Sequence, residues 1–267
     1  MRLRSRANAG FTAWTARQAA CSSAEPEACG PARGKTAHDE DVESMPRKHE
    51  SSSTATRIAL PKPTADGPVS VERALLIRRT VRTFDPAPLT LGELGQLLFA
   101  AQGETADTLR AAPSAGALYP LEILALVGAV QGLAPGLYRY EPDGHTLTRL
   151  EVRDSRAPLA RAALDQDWLA EAPAVLVLTA RFERTTARYG ERGVRYVYME
   201  AGHAAENVCL EAAALGLGAG LIGAFEDAAV RAVLKPAGKA APLYLLPIGR
   251  PRSAACGRPS PTRDAAC

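Results

Sequence analysis

The sequence is short of the residues on which several classes of protein depend. Phe, Trp and Tyr make up only 5% of the 267 residues, which argues against a stacking surface for single-stranded nucleic acid. The formal net charge is only +3, so electrostatics gives no reason to expect a nucleic-acid partner. No apolar run approaches the ~18 residues of a membrane-spanning helix. We therefore expect neither nucleic acid nor a membrane as a partner.

Histidine and cysteine are also scarce. The four histidines are widely spaced, with no HxH arrangement, and the five cysteines include no CxxC pair. Only Cys209 lies outside the terminal segments. This pattern predicts neither a metal site nor a disulfide scaffold. Chemistry beyond that of ordinary side chains would then have to come from elsewhere, for example from an organic cofactor.

The two ends of the chain differ from its middle in composition. Residues 1–65 are rich in Ala, Ser, Arg and Glu and lack a sustained apolar period, so we predict a disordered extension there, a folded domain over 66–251 and a second disordered tail over 252–267. The first 20 residues contain arginines but no proper apolar core of a signal peptide. We expect a cytoplasmic protein, with export or a true start at Met45 as alternatives.

The middle of the chain carries the periodic patterns of one domain. Ser70 is placed to cap a helix over 71–78, and Thr90 with Glu93 forms a capping box for a helix that ends at Gly103. Apolar runs and turn residues predict the other elements, namely strands over 121–127, 136–140, 145–151, 174–180, 219–222 and 243–248 and helices over 156–164, 194–215 and 227–234. Helices alternate with strands around one hairpin, which predicts an α+β or mixed α/β fold on one sheet.

Residues 218–223 match the dinucleotide-binding pattern GxGxxG letter for letter. That fingerprint needs a preceding strand and an acidic residue about 20 positions later. Here a long predicted helix precedes it, and the last predicted strand contains no acid. We instead interpret Gly216 and Gly218 as left-handed residues that end the helix, and Gly220 and Gly223 as positions where the backbone passes close to a neighbour.

Three other segments indicate a ligand. Residues 78–84 place three arginines within five positions directly after a helix, where they repel one another unless an anion or acids lie among them. The alternative interpretation needs no ligand, because cations are favourable near the C-terminus of any helix. Residues 112–120 form a loop of small residues, and residues 222–225 place small residues at a strand end. Small side chains allow backbone amides to approach a flat ligand closely.

Together these segments resemble the nitroreductase-like family of FMN enzymes, and within it the SagB-type dehydrogenases. The resemblance covers about 69–251 and rests on six motifs in the expected order, namely RRTVRTF (78–84), PSAGALYP (113–120), GLYRY (136–140), YGERG (189–193), EAGHAAEN (200–207) and PIGRP (247–251). It implies an FMN-dependent oxidoreductase with a mainly antiparallel central sheet flanked by helices. It further implies a homodimer with two FMN molecules at the subunit interface, and NAD(P)H as co-substrate.

The resemblance also implies roles for individual residues. Arg78, Arg79 and Thr80 would hold the phosphate and ribityl chain of FMN, and Arg82 would lie near the pyrimidine edge of the flavin, where a cation stabilises the reduced ring. The other implied flavin contacts are four loop residues from the partner subunit and two residues near N5: Pro113, Ser114, Ala115, Gly116, Gly223 and Ala224.

Two departures from the family bear on the reaction. Ala117 and Tyr119 stand where simple nitroreductases often carry Asn and Gln, which favours the SagB branch. Azoline oxidases of that branch, which act on ribosomal peptides, commonly use a Lys-Tyr pair as base, where this chain has Arg188 and Tyr189. Arginine stays protonated and is a poor base, so Tyr189 is the catalytic candidate, as a proton donor. An azoline oxidase and a catalytically idle flavin-binding partner in a peptide-modifying complex remain the alternatives.

Overall fold

The computed structural model describes residues 57–105 and 108–252. Its strands are β1 (Arg57–Ala59), β2 (Leu121–Val127), β3 (Gly136–Glu141), β4 (Thr146–Glu151), β5 (Ala174–Ala180), β6 (Gly218–Ala219) and β7 (Ala241–Gly249). They form one seven-stranded sheet in the order β1-β4-β3-β2-β5-β7-β6, and every neighbouring pair is antiparallel. The predicted α+β class and antiparallel sheet are confirmed.

Helices cover both faces of this sheet. The α-helices of the described residues are α1 (Val71–Ile77), α2 (Leu91–Gln102), α3 (Arg156–Ala162), α4 (Trp168–Glu171), α5 (Glu183–Tyr189), α6 (Arg192–Ala214) and α7 (Asp227–Val233). In β2, Ile123 and Ala125 face the core shared with α2 and α6, whereas Leu124 and Leu126 face the core shared with α3, α4 and α7. Because both faces are buried, residues 123–127 of β2 are all apolar and do not alternate with polar residues.

The predicted helix starts are confirmed. At α1, the Arg73 N–H donates to Ser70 Oγ over 3.2 Å. At α2, the Glu93 N–H donates to Thr90 Oγ1 over 3.1 Å, and the Thr90 N–H donates to Glu93 Oε2 over 2.8 Å. Each cap satisfies backbone donors that a helix N-terminus otherwise leaves without partners.

The predicted domain boundary at residue 66 is wrong for the segment just before it. Residues 57–59 form the edge strand β1, which pairs with β4, and Leu60 is buried in the core next to α2. At the other end, the Arg252 N–H donates to the Thr83 carbonyl over 3.1 Å. A three-residue edge strand is too short for its alternating apolar pattern to be recognised in the sequence. Residues 1–56 of the predicted extension and 253–267 of the predicted tail lie outside the described residues.

Candidate functional site

The arginine-rich residues 78–82, here called the basic strip, lie beside β6. Thr80 forms a bridge with Ala219, and the Val81 N–H donates to the Ala219 carbonyl over 3.0 Å. A Cβ on Gly218 would overlap the Val81 side chain, and one on Gly220 would lie 2.6 Å from the Trp168 ring. Gly218 and Gly220 of the GxGxxG match are therefore needed for close packing around the strip.

Gly216 and Gly218, the two glycines predicted to end the long helix, differ in backbone conformation. Gly216 has φ +69° just after α6, as predicted. The prediction for Gly218 is wrong, because this residue lies in β6 and is not among the residues with positive φ. A backbone that pairs with β7 at that position has to be extended.

The side chains of the basic strip have different partners. Arg78 Nε lies 3.4 Å from Glu206 Oε1. Arg79 Nη1 donates to the backbone carbonyls of Leu76 and Arg78, over 3.0 and 2.7 Å. The Arg82 guanidinium lies 5.8 Å from the centre of the Trp168 ring. Arg79, Thr80 and Arg82 are exposed, so the strip presents two cations and a hydroxyl to solvent.

Residues 113–117, here called the small-residue loop, form the second part of the predicted site. Ala115–Ala117 is a 3₁₀ turn in which Gly116 has φ +63°. A Cβ at Gly116 would lie 2.7 Å from Tyr189 Oη and 3.0 Å from Arg188 Nη1. The structure thus brings the loop directly against the Arg-Tyr pair at the end of α5. Only glycine offers both the conformation and the space.

A buried carboxyl lies beneath this loop. Glu200 on α6 is only 2% exposed, and its Oε1 accepts from Gln102 Nε2 over 3.2 Å. Gln102 Oε1 in turn accepts from Arg110 Nη1 over 3.3 Å. Burial raises the pKa of Glu200 to about 7, against the opposing effects of Ser114, Gln102 and Arg110. Sequence reasoning missed Gln102 and Arg110, because no motif links either residue to Glu200, which lies far along the chain from both.

The remaining predicted site residues lie near the end of the sheet. Gly223 and Ala224 are exposed, and the Ala224 carbonyl accepts from Gln166 Nε2 over 3.2 Å. They follow Ile222, which exchanges backbone hydrogen bonds with Leu245 of β7. A Cβ at Gly223 would make only an ordinary contact with the Tyr244 ring, at 3.8 Å.

The basic strip and the small-residue loop line different cavities. Arg79 and Val81 share one with Cys209 of α6, whereas three loop residues share another with Glu200 and other residues of α6. Both cavities touch α6. Glu206, the partner of Arg78, is six residues from Glu200, which is about 9 Å along a helix axis. The helix therefore connects the two parts of the site.

The described residues hold neither a membrane-spanning helix nor a metal-binding cluster. Within 57–105 and 108–252, no helix is long and apolar enough to cross a membrane. The same part of the chain holds no group of three or more His, Cys, Asp or Glu side chains that could hold a metal ion. The expected cytoplasmic location and the expected absence of a metal stay predictions.

Comparison with known proteins identifies the family. A model of the nitroreductase family matches residues 75–250. A protein of Methanocaldococcus jannaschii that is named as a nitroreductase is 48% identical over 183 residues, which are 68% of this chain and 91% of that protein. The chain therefore belongs to the nitroreductase family, a family of oxidoreductases that typically bind FMN.

Two further proteins are similar over part of their length. The crystal structure of a protein from Anabaena variabilis, named as a nitroreductase, matches with a TM-score of 0.64 at 31% identity, over 74% of this chain and 42% of that one. The trifolitoxin-processing protein of Rhizobium leguminosarum is 33% identical over 119 residues, which are 42% of this chain and 32% of that protein. The chain spans less than half the length of each of these two proteins.

Proposed function

We propose that this chain is an FMN-dependent oxidoreductase of the SagB-type dehydrogenase branch, which passes hydride between NAD(P)H or an organic substrate and an acceptor. FMN would supply the hydride transfer through its N5 atom. The observation that carries the proposal is the close contact at Gly116, where a loop without large side chains lies against Tyr189. A flat ring placed over such a loop would have a proton donor at its edge.

The donors of the basic strip fit a phosphate dianion. Arg79 and Arg82 are exposed, and neither forms an ion pair with a described residue. The Arg79 guanidinium and the Thr80 hydroxyl would therefore hold the phosphate and ribityl oxygens, while Arg82 would lie near the pyrimidine edge of the flavin. Arg78 would contribute less than its neighbours, because Glu206 already neutralises part of its charge. Arg250, at the end of the sheet, is likewise occupied by Glu93 at 2.8 Å.

The ring of FMN would be held mainly by backbone groups. Small side chains leave their amides accessible, which is the property needed beside a flat ring. The residues proposed to line it are Pro113, Ser114, Ala115 and Gly116, with Gly223 and Ala224 on the N5 side. Tyr189 would hold a proton at its Oη, while Arg188 would keep its positive charge and orient an acidic or carbonyl group of the substrate.

A homodimer would bring the two parts of the site together. In one chain the strip and the loop line separate cavities, so a site that uses both is completed when the loop of one subunit meets the strip of the other. Apolar side chains on α1 and α6 are exposed in the single chain, among them Leu76 at 63% and Tyr198 at 57%. Their burial against a second copy would remove this apolar surface from water.

The first experiment asks whether the full-length protein carries flavin. We expect a purified protein that is yellow, releases FMN on denaturation and is bleached by NAD(P)H under nitrogen. A colourless protein that does not bind added FMN would contradict the proposal. A yellow protein that no nicotinamide or organic donor bleaches would instead be the idle flavin-binding partner.

A second candidate function is azoline oxidation, favoured by the likeness to a protein named for trifolitoxin processing. Replacement of the Lys of the usual pair by Arg188 counts against it, because arginine is a poor base. The two functions differ in the direction of electron flow. Reduction of the flavin by an azoline-containing peptide, without NAD(P)H, would identify the oxidase, and reduction by NAD(P)H alone would identify the reductase.

A further inference from the structure

A second charged cavity lies away from the basic strip. It measures about 240 Å³ and is bounded by the end of α2, the end of β3 and the start of α5. Its polar lining consists mainly of Gln102, Arg110, Glu122, Arg139, Glu141 and Arg184. None of these residues belongs to the proposed FMN contacts.

The acids of this cavity are already neutralised. Glu122 Oε1 accepts from Arg181 Nε over 2.5 Å and from Arg184 Nη2 over 3.1 Å. Glu141 Oε1 accepts from Arg139 Nε over 2.9 Å. Two carboxylates thus face three guanidinium groups before Arg110 is counted, and the cavity keeps a positive charge.

Arg110 has no such partner. It is half-buried, and it forms no ion pair with a carboxylate among the described residues. Its guanidinium donates to Gln102 Oε1 over 3.3 Å and lies 4.5 Å from the centre of the Tyr119 ring. Burial lowers the pKa of Arg110, and Glu200 and Glu104 act on it only at longer range. A half-buried cation that uses one of five donors is available to an anion.

We propose that this cavity binds a small anionic group, a carboxylate or a phosphate, on the guanidinium of Arg110. Stacking on Tyr119 holds the guanidinium plane in place, which suits the two-pronged binding of planar or tetrahedral oxyanions. Arg184 stands at the same cavity and adds a second cation. The proposal does not rest on the proposed oxidoreductase function, since it uses none of the residues assigned to FMN.

The test is calorimetric titration of the full-length protein with sodium phosphate and, separately, with sodium succinate, at an ionic strength held constant with sodium chloride. We expect saturable binding of at least one of the two, and the arm that binds tells a phosphate site from a carboxylate site. Arg110→Gln should raise the Kd at least about tenfold, the loss of one charge-assisted contact. Arg231→Gln, at an exposed position of α7, is the matched control and should leave the Kd unchanged.

Three results would overturn the proposal. The first is that neither anion binds at concentrations up to about 10 mM. The second is an unchanged Kd in Arg110→Gln. The third is that Arg79→Gln loses binding while Arg110→Gln retains it, because this would place the anion at the basic strip. If Arg110→Gln does not fold, Arg184→Gln decides, with an expected rise of a few-fold in the Kd. An unchanged Kd in that variant counts against the site.

Discussion

The basic strip and the small-residue loop are held in place by different kinds of contact. The strip is fixed through its backbone, which pairs with Ala219, while Arg82 stays exposed. The loop is fixed by the left-handed conformation of Gly116 and by Ser114 Oγ, which accepts from the Tyr119 N–H over 2.9 Å. Side-chain changes in the strip should therefore alter ligand binding without altering folding, whereas one added methyl group in the loop should alter both.

The largest effect is expected beneath the loop, in Glu200→Gln. The pKa of Glu200 rises from its usual 4.5 to about 7 on folding because the carboxyl is buried. A raised pKa means that Glu200 favours folding most below about pH 4.5, and this contribution is lost as the pH rises through 7. At pH 8 the uncharged amide should raise the free energy of unfolding by up to about 3 kcal/mol relative to the natural chain.

Urea unfolding at pH 5 and pH 8 measures this effect. The difference between variant and natural chain should be largest at pH 8 and shrink toward pH 5. Glu206→Gln is the control, since its side chain is 46% exposed, and it should show no comparable change with pH. Equal stabilities of Glu200→Gln and the natural chain at pH 8 would mean that the carboxyl is not buried as described.

The next effect concerns binding by the strip. Arg82→Ala should weaken FMN binding by about 1.5 to 3 kcal/mol, or about ten- to hundredfold, because a charge-assisted contact is lost. The free energy of unfolding without FMN should change by less than about 0.5 kcal/mol, as for an exposed side chain. Arg78→Ala should weaken binding less, since Arg78 is shared with Glu206. Flavin fluorescence titration measures the FMN affinity of the natural chain and of both variants. An unchanged affinity in Arg82→Ala would mean that Arg82 does not contact FMN.

The backbone pairing of the strip can be disturbed from the other side by Gly220→Ala. The added Cβ would lie 2.6 Å from the Trp168 ring and 2.9 Å from the Val81 carbonyl oxygen, and such overpacking typically costs about 1 to 3 kcal/mol. Gly92→Ala is the control, because its nearest neighbour is Thr90 Oγ1 at 4.0 Å. Thermal unfolding should show a lower Tm in Gly220→Ala only. An unchanged Tm would mean that the strip is not seated on β6.

The sequence was sufficient to predict most of the fold, because its signals are local. The capping residues Ser70 and Thr90 and the continuous apolar strand β5 each depend on neighbours within a few positions. The missed elements β1, α4 and α5 lack such signals. In α5 only Thr185 is buried, so no apolar stripe marks the helix.

The candidate site was predictable only where a motif carried it. Family motifs pointed to Gly116 and Tyr189, but their contact is a consequence of how the loop meets α5. The chain of hydrogen bonds from Glu200 through Gln102 to Arg110 joins residues up to 98 positions apart. A single sequence contains no signal for such pairs, since each residue alone is an ordinary polar residue of a helix or loop.

A smaller effect is expected in the loop from Gly116→Ala. A non-glycine residue with positive φ costs about 1 to 2 kcal/mol, and the Cβ would also press on Tyr189 Oη. Gly132→Ala is a matched control, since Gly132 has φ +74° and nothing within 4 Å of its Cβ position. In urea, Gly132→Ala should lose only the conformational part of this stability, whereas Gly116→Ala should lose at least as much and should alone lose FMN affinity. Equal FMN affinities of the two variants would separate the loop from the flavin site.

The smallest effect within the chain is expected in Gly202→Leu, which tests whether the strip of one subunit and the loop of the other meet at a dimer interface. Apart from the nearby backbone of α6 itself, no described atom lies within 4 Å of a Cβ at Gly202. Leucine also favours a helix over glycine by nearly 1 kcal/mol, so the separate chain should not be destabilised. At a helix contact between two copies, the same side chain would overpack the interface by about 1 to 3 kcal/mol. Light scattering should then show a weakened dimer, with flavin content falling alongside it at low protein concentration. Gly202→Ala, which gains the helix preference with little bulk, should keep both, and a fully flavin-loaded monomer in Gly202→Leu would mean that each chain binds FMN alone.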